Sequence, residues 1–361
     1  MEKTRDYLFD NMKGILIILV VFGHLIEYFA FRTYGSISYV YTGIYLFHMP
    51  MFVFISGYFS KKHNEKRILE LILVYILWQA IIFPLFISMT LDIPFSEYTK
   101  SLFDPRFTYW YIFSLITWKI ITPYFSKLKF SLAVSITLGL FIGYSSIKSG
   151  LGNFSLGRTF AFYPFYLAGY YCTKDQFYYY KSKLNKYIGI IAFVSLVILG
   201  VIFINSLDQL LIKEKYIHKI LFFKDKYEKY LRNEDIGFII RSILYSLQFM
   251  CIYLFTTFIS SKKSIFSKIG QNTLFIYLSH AVLIKYLQKS YFKSVPLDSS
   301  MILITALVLS FAYCLLLSSK PFVKFGSIFT NINMNLFLKK DTNNNKRSNI
   351  TNLPNISSKA S

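Results

Sequence analysis

Residues 14–31 read GILIILVVFGHLIEYFAF, a run in which His24 and Glu27 are the only ionisable side chains. A stretch of this length and apolarity is what an α-helix needs to cross the hydrocarbon core of a bilayer. Runs of the same kind follow at 39–60, 68–90, 107–123, 129–147, 159–172, 187–206, 236–260, 270–288 and 299–318, of which 159–172 is short and carries Pro164. With 54% hydrophobic and 20% aromatic residues in 361, the chain holds more apolar surface than a soluble domain buries. The expected fold is all-α, a polytopic membrane bundle of about ten transmembrane helices. Residues 1–13 are charged and lead into the first run as in a signal peptide. That run contains His24 and Glu27, however, and no small-residue cleavage site follows, so it is read as a retained first span.

Orientation follows from where lysine and arginine fall, because short cytoplasmic loops retain them. With the N-terminus inside, the inner loops collect Lys61, Lys62, Lys66 and Arg67, then Lys119, Lys127 and Lys129, then Lys174, Lys181, Lys183 and Lys186, then Lys262, Lys263 and Lys268. The outer segment 208–235 holds seven Lys or Arg against six Asp or Glu, and a long loop is exempt from the rule. Both termini are expected in the cytoplasm. Three segments result: 1–13, a transmembrane domain over 14–318, and a tail over 319–361 whose polar, aperiodic end from about 338 reads as disordered. Within 208–235, Leu210, Leu211, Ile217, Ile220, Leu221 and Leu231 recur at helical spacing, with Tyr216, Tyr227 and Tyr230 as interfacial anchors. The segment is expected to be a surface helix packed on the bundle rather than a lid over a site.

The net charge of +22 is dispersed over many short loops with no basic, aromatic-interleaved module, which argues against a nucleic-acid partner and for membrane topology and anionic headgroups. Cys172, Cys251 and Cys314 are isolated and form no CxxC pair. They read as small apolar residues.

Three histidines lie in the apolar runs. His24 follows Gly14 by ten residues and His280 follows Gly270 by ten, which at 1.5 Å per residue puts each about 15 Å along its helix. His48 precedes Ser60 by twelve on a helix running the other way, about 18 Å from the same end. Ionisable groups at one depth inside a membrane face a polar cavity and mark a functional site.

Four stretches together resemble the membrane-bound acyltransferase 3 family, most of all its branch related to fucose O-acetylases and capsule-modifying enzymes. They are RDYLFDNMKGILIILVVFGHLIE (5–27), FHMPMFVFISGYFSKK (47–62), GRTFAFYPFYLAGYY (157–171) and GQNTLFIYLSH (270–280). The resemblance covers the transmembrane core and leaves out the tail. It implies a ten-helix bundle around a pore, in the cell membrane of a bacterium. The implied reaction moves an acyl group, usually acetyl, from acetyl-CoA to a hydroxyl of a cell-surface or capsular saccharide. Many members carry arginine eleven residues before the first-helix histidine. Here that position is Lys13, which keeps the charge and loses the planar two-pronged fork.

Taking a proton from a sugar hydroxyl calls for a base that works near neutrality, and His24 is the candidate. Glu27, three residues on, shares its helical face and is placed to fix the imidazole tautomer and stabilise the imidazolium. Lys13 lies where a CoA nucleotide would present its phosphates, with Asp10 as an alternative partner. His48 opens His-Met-Pro, and Pro50 breaks the helical ladder nearby. His48 is read as binding the thioester carbonyl or as satisfying a backbone carbonyl. His280 is a further substrate-binding candidate, and Arg158 is placed to meet an anionic or polyhydroxylated acceptor. Arg241 is expected to snorkel to the interface, and Ser56 and Gly57 to serve close helix packing. Histidines on three separate helices show no tight metal-ligand spacing, so no metal is expected. The competing reading is an exporter of polysaccharide or lipid-linked sugar in which His24 and Glu27 relay protons.

Overall fold

The computed structural model describes residues 6–32, 35–91, 104–105, 107–144, 155–210, 217–292 and 298–334. Helices α1 (Leu8–Ala30) and α2 (Ser36–Tyr58) come first. Next, α3 (Glu65–Ile76) runs through a π-helical stretch (Leu77–Ile82) into α4 (Phe83–Leu91). There follow α5 (Trp110–Phe125), α6 (Ser131–Phe141), α7 (Leu156–Tyr171), α8 (Lys174–Ser182) and α9 (Lys186–Leu210). The series closes with α10 (Gly237–Phe258), α11 (Ile265–Gly270), α12 (Thr273–Ser290), α13 (Ser299–Leu317) and α14 (Lys320–Thr330).

The described residues are overwhelmingly helical, and each of the ten expected spans overlaps a helix. Among the described residues six helices are long and apolar enough to cross a membrane: Leu8–Ala30, Ser36–Tyr58, Glu65–Thr90, Lys186–Leu207, Glu234–Phe258 and Ser299–Leu317. The other four fall short by length or polarity. Helices α5, α6 and α7 have 16, 11 and 16 residues, and α12 carries His280, Lys285 and Lys289. A count from length and composition is therefore six.

The packing separates two kinds of helix. Of the most apolar window of α2, 83% is buried inside the protein, against 22% for α9 and 28% for α13. The outer helices present ridges such as Ile188, Ile191, Ile198 and Ile202 on α9, and Ile304, Leu307 and Val308 on α13, to the surroundings. Contiguous apolar surface of this extent is what contact with lipid requires. Local signals set several helix starts: Asn64 accepts from the Arg67 N–H, Asp298 accepts from the Met301 N–H at 2.7 Å, and Thr173 and Gln176 form a capping box.

Two glycine crossings lock the centre. A Cβ at Gly14 would lie 2.0 Å from the Phe266 carbonyl oxygen, and one at Gly270 would lie 1.8 Å from that of Asp10, so α1 and α11 touch backbone to backbone. Gly57 on α2 and Gly169 on α7 repeat the pattern, each with a carbonyl oxygen 1.9 Å from the missing Cβ position. Small residues allow such approach where no hydrophobic force drives helices together. Asn11 fixes the sliding of the first pair, donating to the Ser260 and Lys262 carbonyls at 2.7 and 2.8 Å and accepting from Ser264. Packing is thus the role of Gly57, while Ser56 bonds both the Phe52 carbonyl and the Tyr111 hydroxyl.

Gly14→Val is expected to force α1 off α11 and destabilise the protein by about 1–3 kcal/mol, the usual cost of overpacking. A thermal melt in detergent reads this directly; an unchanged midpoint would show that the crossing gives way freely.

Candidate functional site

Ten residues beyond Gly14 and Gly270, the rings of His24 and His280 lie 5.4 Å apart, centroid to centroid. His48 joins from α2 through Tyr45, whose ring is 4.7 Å from His48 and 6.0 Å from His24. The expected common depth is met by three side chains from three helices.

Each imidazole has one nitrogen committed. His24 Nδ1 is 2.7 Å from Glu27 Oε2, and the Tyr45 hydroxyl lies 3.2 Å from the same nitrogen. The carboxylate requires a proton on Nδ1 and leaves the Nε2 lone pair of the neutral ring open, the arrangement of a base with its orienter. The side chains of His24 and Glu27 keep 17% and 19% of their surface exposed, enough to meet a small molecule. His48 Nδ1–H donates to the Ile44 carbonyl at 2.7 Å, and His280 Nδ1–H to the Tyr277 carbonyl. Both rings are buried, and His280 Nε2 has no hydrogen-bond partner. Neutral His48 therefore offers the cavity an acceptor. Of the two roles expected of His48, contact with a backbone carbonyl is present, that of Ile44.

A cavity of about 500 Å³ opens over this group, lined by His24, Glu27, Tyr45, His48, Trp110 and Arg158 among others. Phe107 packs on His24 at 4.9 Å with φ of 45°, a left-handed backbone that costs a non-glycine residue about 1–3 kcal/mol. Arg158, in the first turn of α7, is half-buried and lies 5.0 Å over the Trp110 ring, with its Nε buried and without a hydrogen-bond partner. Arg158 lines the same cavity as His24.

The segment over this cavity departs from expectation. Among the described residues, 217–236 forms single turns (Ile217–Phe222, Tyr227–Tyr230, Glu234–Ile236) instead of one amphipathic helix; Leu211 and Tyr216 lie outside the described residues. Tyr227 and Tyr230 are buried, not interfacial: Tyr227 donates to the Leu140 carbonyl at 2.6 Å and Tyr230 to Asp225 at 2.7 Å. Lys219, Leu221, Phe222, Lys224, Asp225 and Lys229 line the cavity, so the segment is its cover. Arg241 does not snorkel. It is buried, donates to the Gly139 carbonyl at 2.8 Å, and stacks on Phe223 at 4.9 Å and Tyr227 at 4.5 Å, which pins the cover to α6 and α10.

A second cavity of about 340 Å³ lies toward the end bearing Lys13, lined by Lys13, Ser56, Arg67, Tyr111, Lys119 and Tyr277 among others. A third, of about 290 Å³, shares Arg67 and Lys119 with it and adds Lys61, Lys62 and His63. Lys13 pairs with Asp10 at 3.0 Å, as its spacing allows. Lys119, counted above with the loop lysines, lies inside α5 and donates to Ser60 at 2.8 Å. Tyr277 lines both the His24 cavity and the Lys13 cavity, its hydroxyl held by the Thr108 carbonyl. One aromatic side chain thus forms a wall common to a basic chamber and a histidine chamber. Sequence reasoning missed Tyr45, Tyr277, Arg67 and Lys119 as site residues. A lysine within an apolar run was the available signal for Lys119, whereas a tyrosine is one of thirty. Among the described residues no three His, Cys, Asp or Glu side chains gather as metal ligands.

Arg241→Ala is expected to loosen the cover without unfolding the bundle, because truncation leaves the Gly139 carbonyl and two rings without their cation. Limited proteolysis should cut within 217–236 about tenfold faster than in the parent protein; equal rates would remove the pinning role.

Compared with known proteins, residues 6–319 match a family described as an acyltransferase domain. The chain is 31% identical to nodulation protein NolL of Mesorhizobium japonicum, over 46% of this chain and 48% of that protein. It is 32% identical to nodulation protein NolL of Sinorhizobium fredii, over 34% of this chain and 37% of that one. The match spans about half or less of the length of these curated relatives. No solved structure matches the chain.

Proposed function

The chain belongs to the acyltransferase domain family, and from that premise we propose that it is an integral membrane O-acetyltransferase moving acetyl from acetyl-CoA to a hydroxyl of a cell-surface or capsular saccharide. The observation that carries this reading is the pair of chambers meeting at Tyr277. Acetyl-CoA is an anionic nucleotide bearing a slender thioester arm; a saccharide is a polyhydroxylated acceptor. Lys13, Arg67 and Lys119 suit the phosphates of the first as point charges and a fork. The chamber of His24, Glu27 and Arg158 suits the second. Both termini and the basic chamber are assigned to the cytoplasm, where acetyl-CoA is made, with α5, α6, α7 and α12 completing a ten-span bundle around the passage.

In the proposed reaction the acceptor hydroxyl gives its proton to His24 Nε2 as its oxygen attacks the thioester carbonyl. Glu27 holds Nδ1–H and offsets the charge of the imidazolium. The tetrahedral adduct then expels the CoA thiolate, which takes the proton back from His24. The products are an acetylated saccharide and free CoA, with no net proton change. Transfer is direct, without an acetyl-enzyme.

The test is transfer of labelled acetyl from acetyl-CoA into membrane glycan by vesicles carrying the intact protein, a normally expressed His24→Ala variant, or no protein. His24→Ala is expected to lower the rate by about 10²–10⁴, the usual contribution of a general base. Label equal to that of empty vesicles, with a suitable acceptor present, would overturn the reading and favour glycan export with His24 and Glu27 as a proton relay. Arg67→Gln and Lys119→Gln should each raise KM for acetyl-CoA about tenfold with kcat little changed, the pattern of a lost charge-assisted contact that binds ground and transition states alike.

A further inference from the structure

The charged groups of the His24 cavity are unevenly committed. Its lining holds four cations, Arg158, Lys219, Lys224 and Lys229, and three carboxylates, Glu27, Asp104 and Asp225. Glu27 is taken by His24. Asp225 is taken by Lys229 at 3.0 Å and by the Tyr230 hydroxyl at 2.7 Å. Although burial alone would raise the Asp225 carboxyl, those contacts hold it below the ordinary range, so it stays an anion. Asp104 and Asp225 both act on Lys224 through space, favouring its charged form, without an ion pair to it among the described residues. Arg158 has its buried Nε unpartnered, and among the described residues Lys224 enters no ion pair.

The backbone adds charge of the same sign. Arg158 sits in the first turn of α7, whose Ncap residue, Ser155, lines the cavity and makes no side-chain cap. The uncapped N–H groups of that turn carry the positive end of a 16-residue helix. Lys224 belongs to the cover. It is an exposed residue that lines the cavity, and loss of solvent around its ammonium, then the neighbouring Arg158, draw it below the usual lysine range. Like charges concentrated at one mouth, one of them a guanidinium backed by an indole face, form a receptor for an anion. A carboxylate or phosphate would give the Arg158 Nε a charge-assisted acceptor, where a neutral sugar offers only a hydroxyl.

We infer that the acceptor carries an anionic group, a carboxylate or a phosphate, held between Arg158 and Lys224 at the mouth of the His24 cavity. The inference rests on the acceptor entering that cavity, as in the reading above, and it narrows the acceptor from saccharides in general to acidic or phosphate-linked ones. The held anion would place a neighbouring hydroxyl toward His24. It would also draw Lys224, and the cover with it, onto the substrate.

Trp110, on which Arg158 lies, supplies a reporter independent of catalysis. The intact chain, purified in detergent, is titrated with glucuronate, inorganic pyrophosphate and glucose while tryptophan emission is followed. Glucuronate or pyrophosphate is expected to give a saturable change that glucose does not. The apparent affinity should fall about tenfold in Arg158→Gln and in Lys224→Gln, the scale of one charge-assisted hydrogen bond. Arg158→Lys should recover part of it, Trp110→Phe should abolish the signal, and Lys119→Gln in the other chamber should leave it unchanged. Saturation by glucuronate alone assigns the anion to an acidic sugar, and by pyrophosphate alone to a phosphate linkage. Equal responses to glucose and the anions, no saturable response, or responses indifferent to Arg158 and Lys224 would overturn the proposal. Labelled acetyl transfer on the same preparation decides the acyltransferase reading separately, since a neutral acceptor could be acetylated with the anion site absent.

Discussion

Backbone contact between α1 and α11 at Gly14 and Gly270 is the constraint from which the rest follows. Each glycine faces a carbonyl of the other segment, so neither helix can slide or rotate without a clash, and Asn11 holds the register with two further carbonyls. A helix advances 1.5 Å per residue whatever its side chains. On α1 a register fixed at Gly14 is therefore a register fixed ten residues later at His24; Gly270 ends α11, and His280 reaches the same place from α12, which starts at Thr273 after a two-residue turn. The crossing of Gly57 and Gly169 does for α2 and α7 what the first does for α1 and α11, and sets His48 and Arg158 about the same cavity.

Rigid placement matters because every group in the site is expensive to bury. Each histidine spends its Nδ1 on a neighbour, a carboxylate for His24 and a helix carbonyl for His48 and His280. That shared solution fixes one tautomer in all three rings and turns a lone pair inward. Only His24 has a charged partner, and it keeps more exposure than the other two. The difference separates a proposed base from two acceptors, although all three look alike as histidines in apolar runs.

Charge divides the molecule along its length. One chamber is ringed by Lys13, Arg67 and Lys119, the other by His24, Glu27 and Arg158, and Tyr277 stands between them. The cover at 217–236 is held by Arg241 against two aromatic rings and a carbonyl of α6, so its anchor is buried while its lysines face the cavity. The reaction proposed for the chain, between a nucleotide thioester and a sugar, would draw on this division, because neither partner is soluble in hydrocarbon and each must be met by polar groups at its own end.

Although the short helices α8, α11 and α14 went unread, sequence alone determined the helical class, a helix within each of the ten apolar runs and the His24–Glu27 pairing. All of these depend on period and rise, which are local properties of a helix. It also carried the family, through motifs that lie along single helices. It did not determine how many helices meet lipid, because a helix sheathed by protein can be short or polar and still cross. Tertiary structure decided the rest. It turned Arg241 inward and Lys119 onto a cavity, gave short turns over 217–236 where an amphipathic helix was expected, and buried Tyr227 and Tyr230. It also selected Tyr45 and Tyr277 from many equivalent aromatics. In each case the outcome depends on which side chain from a distant segment arrives opposite, and no periodicity within one segment encodes that.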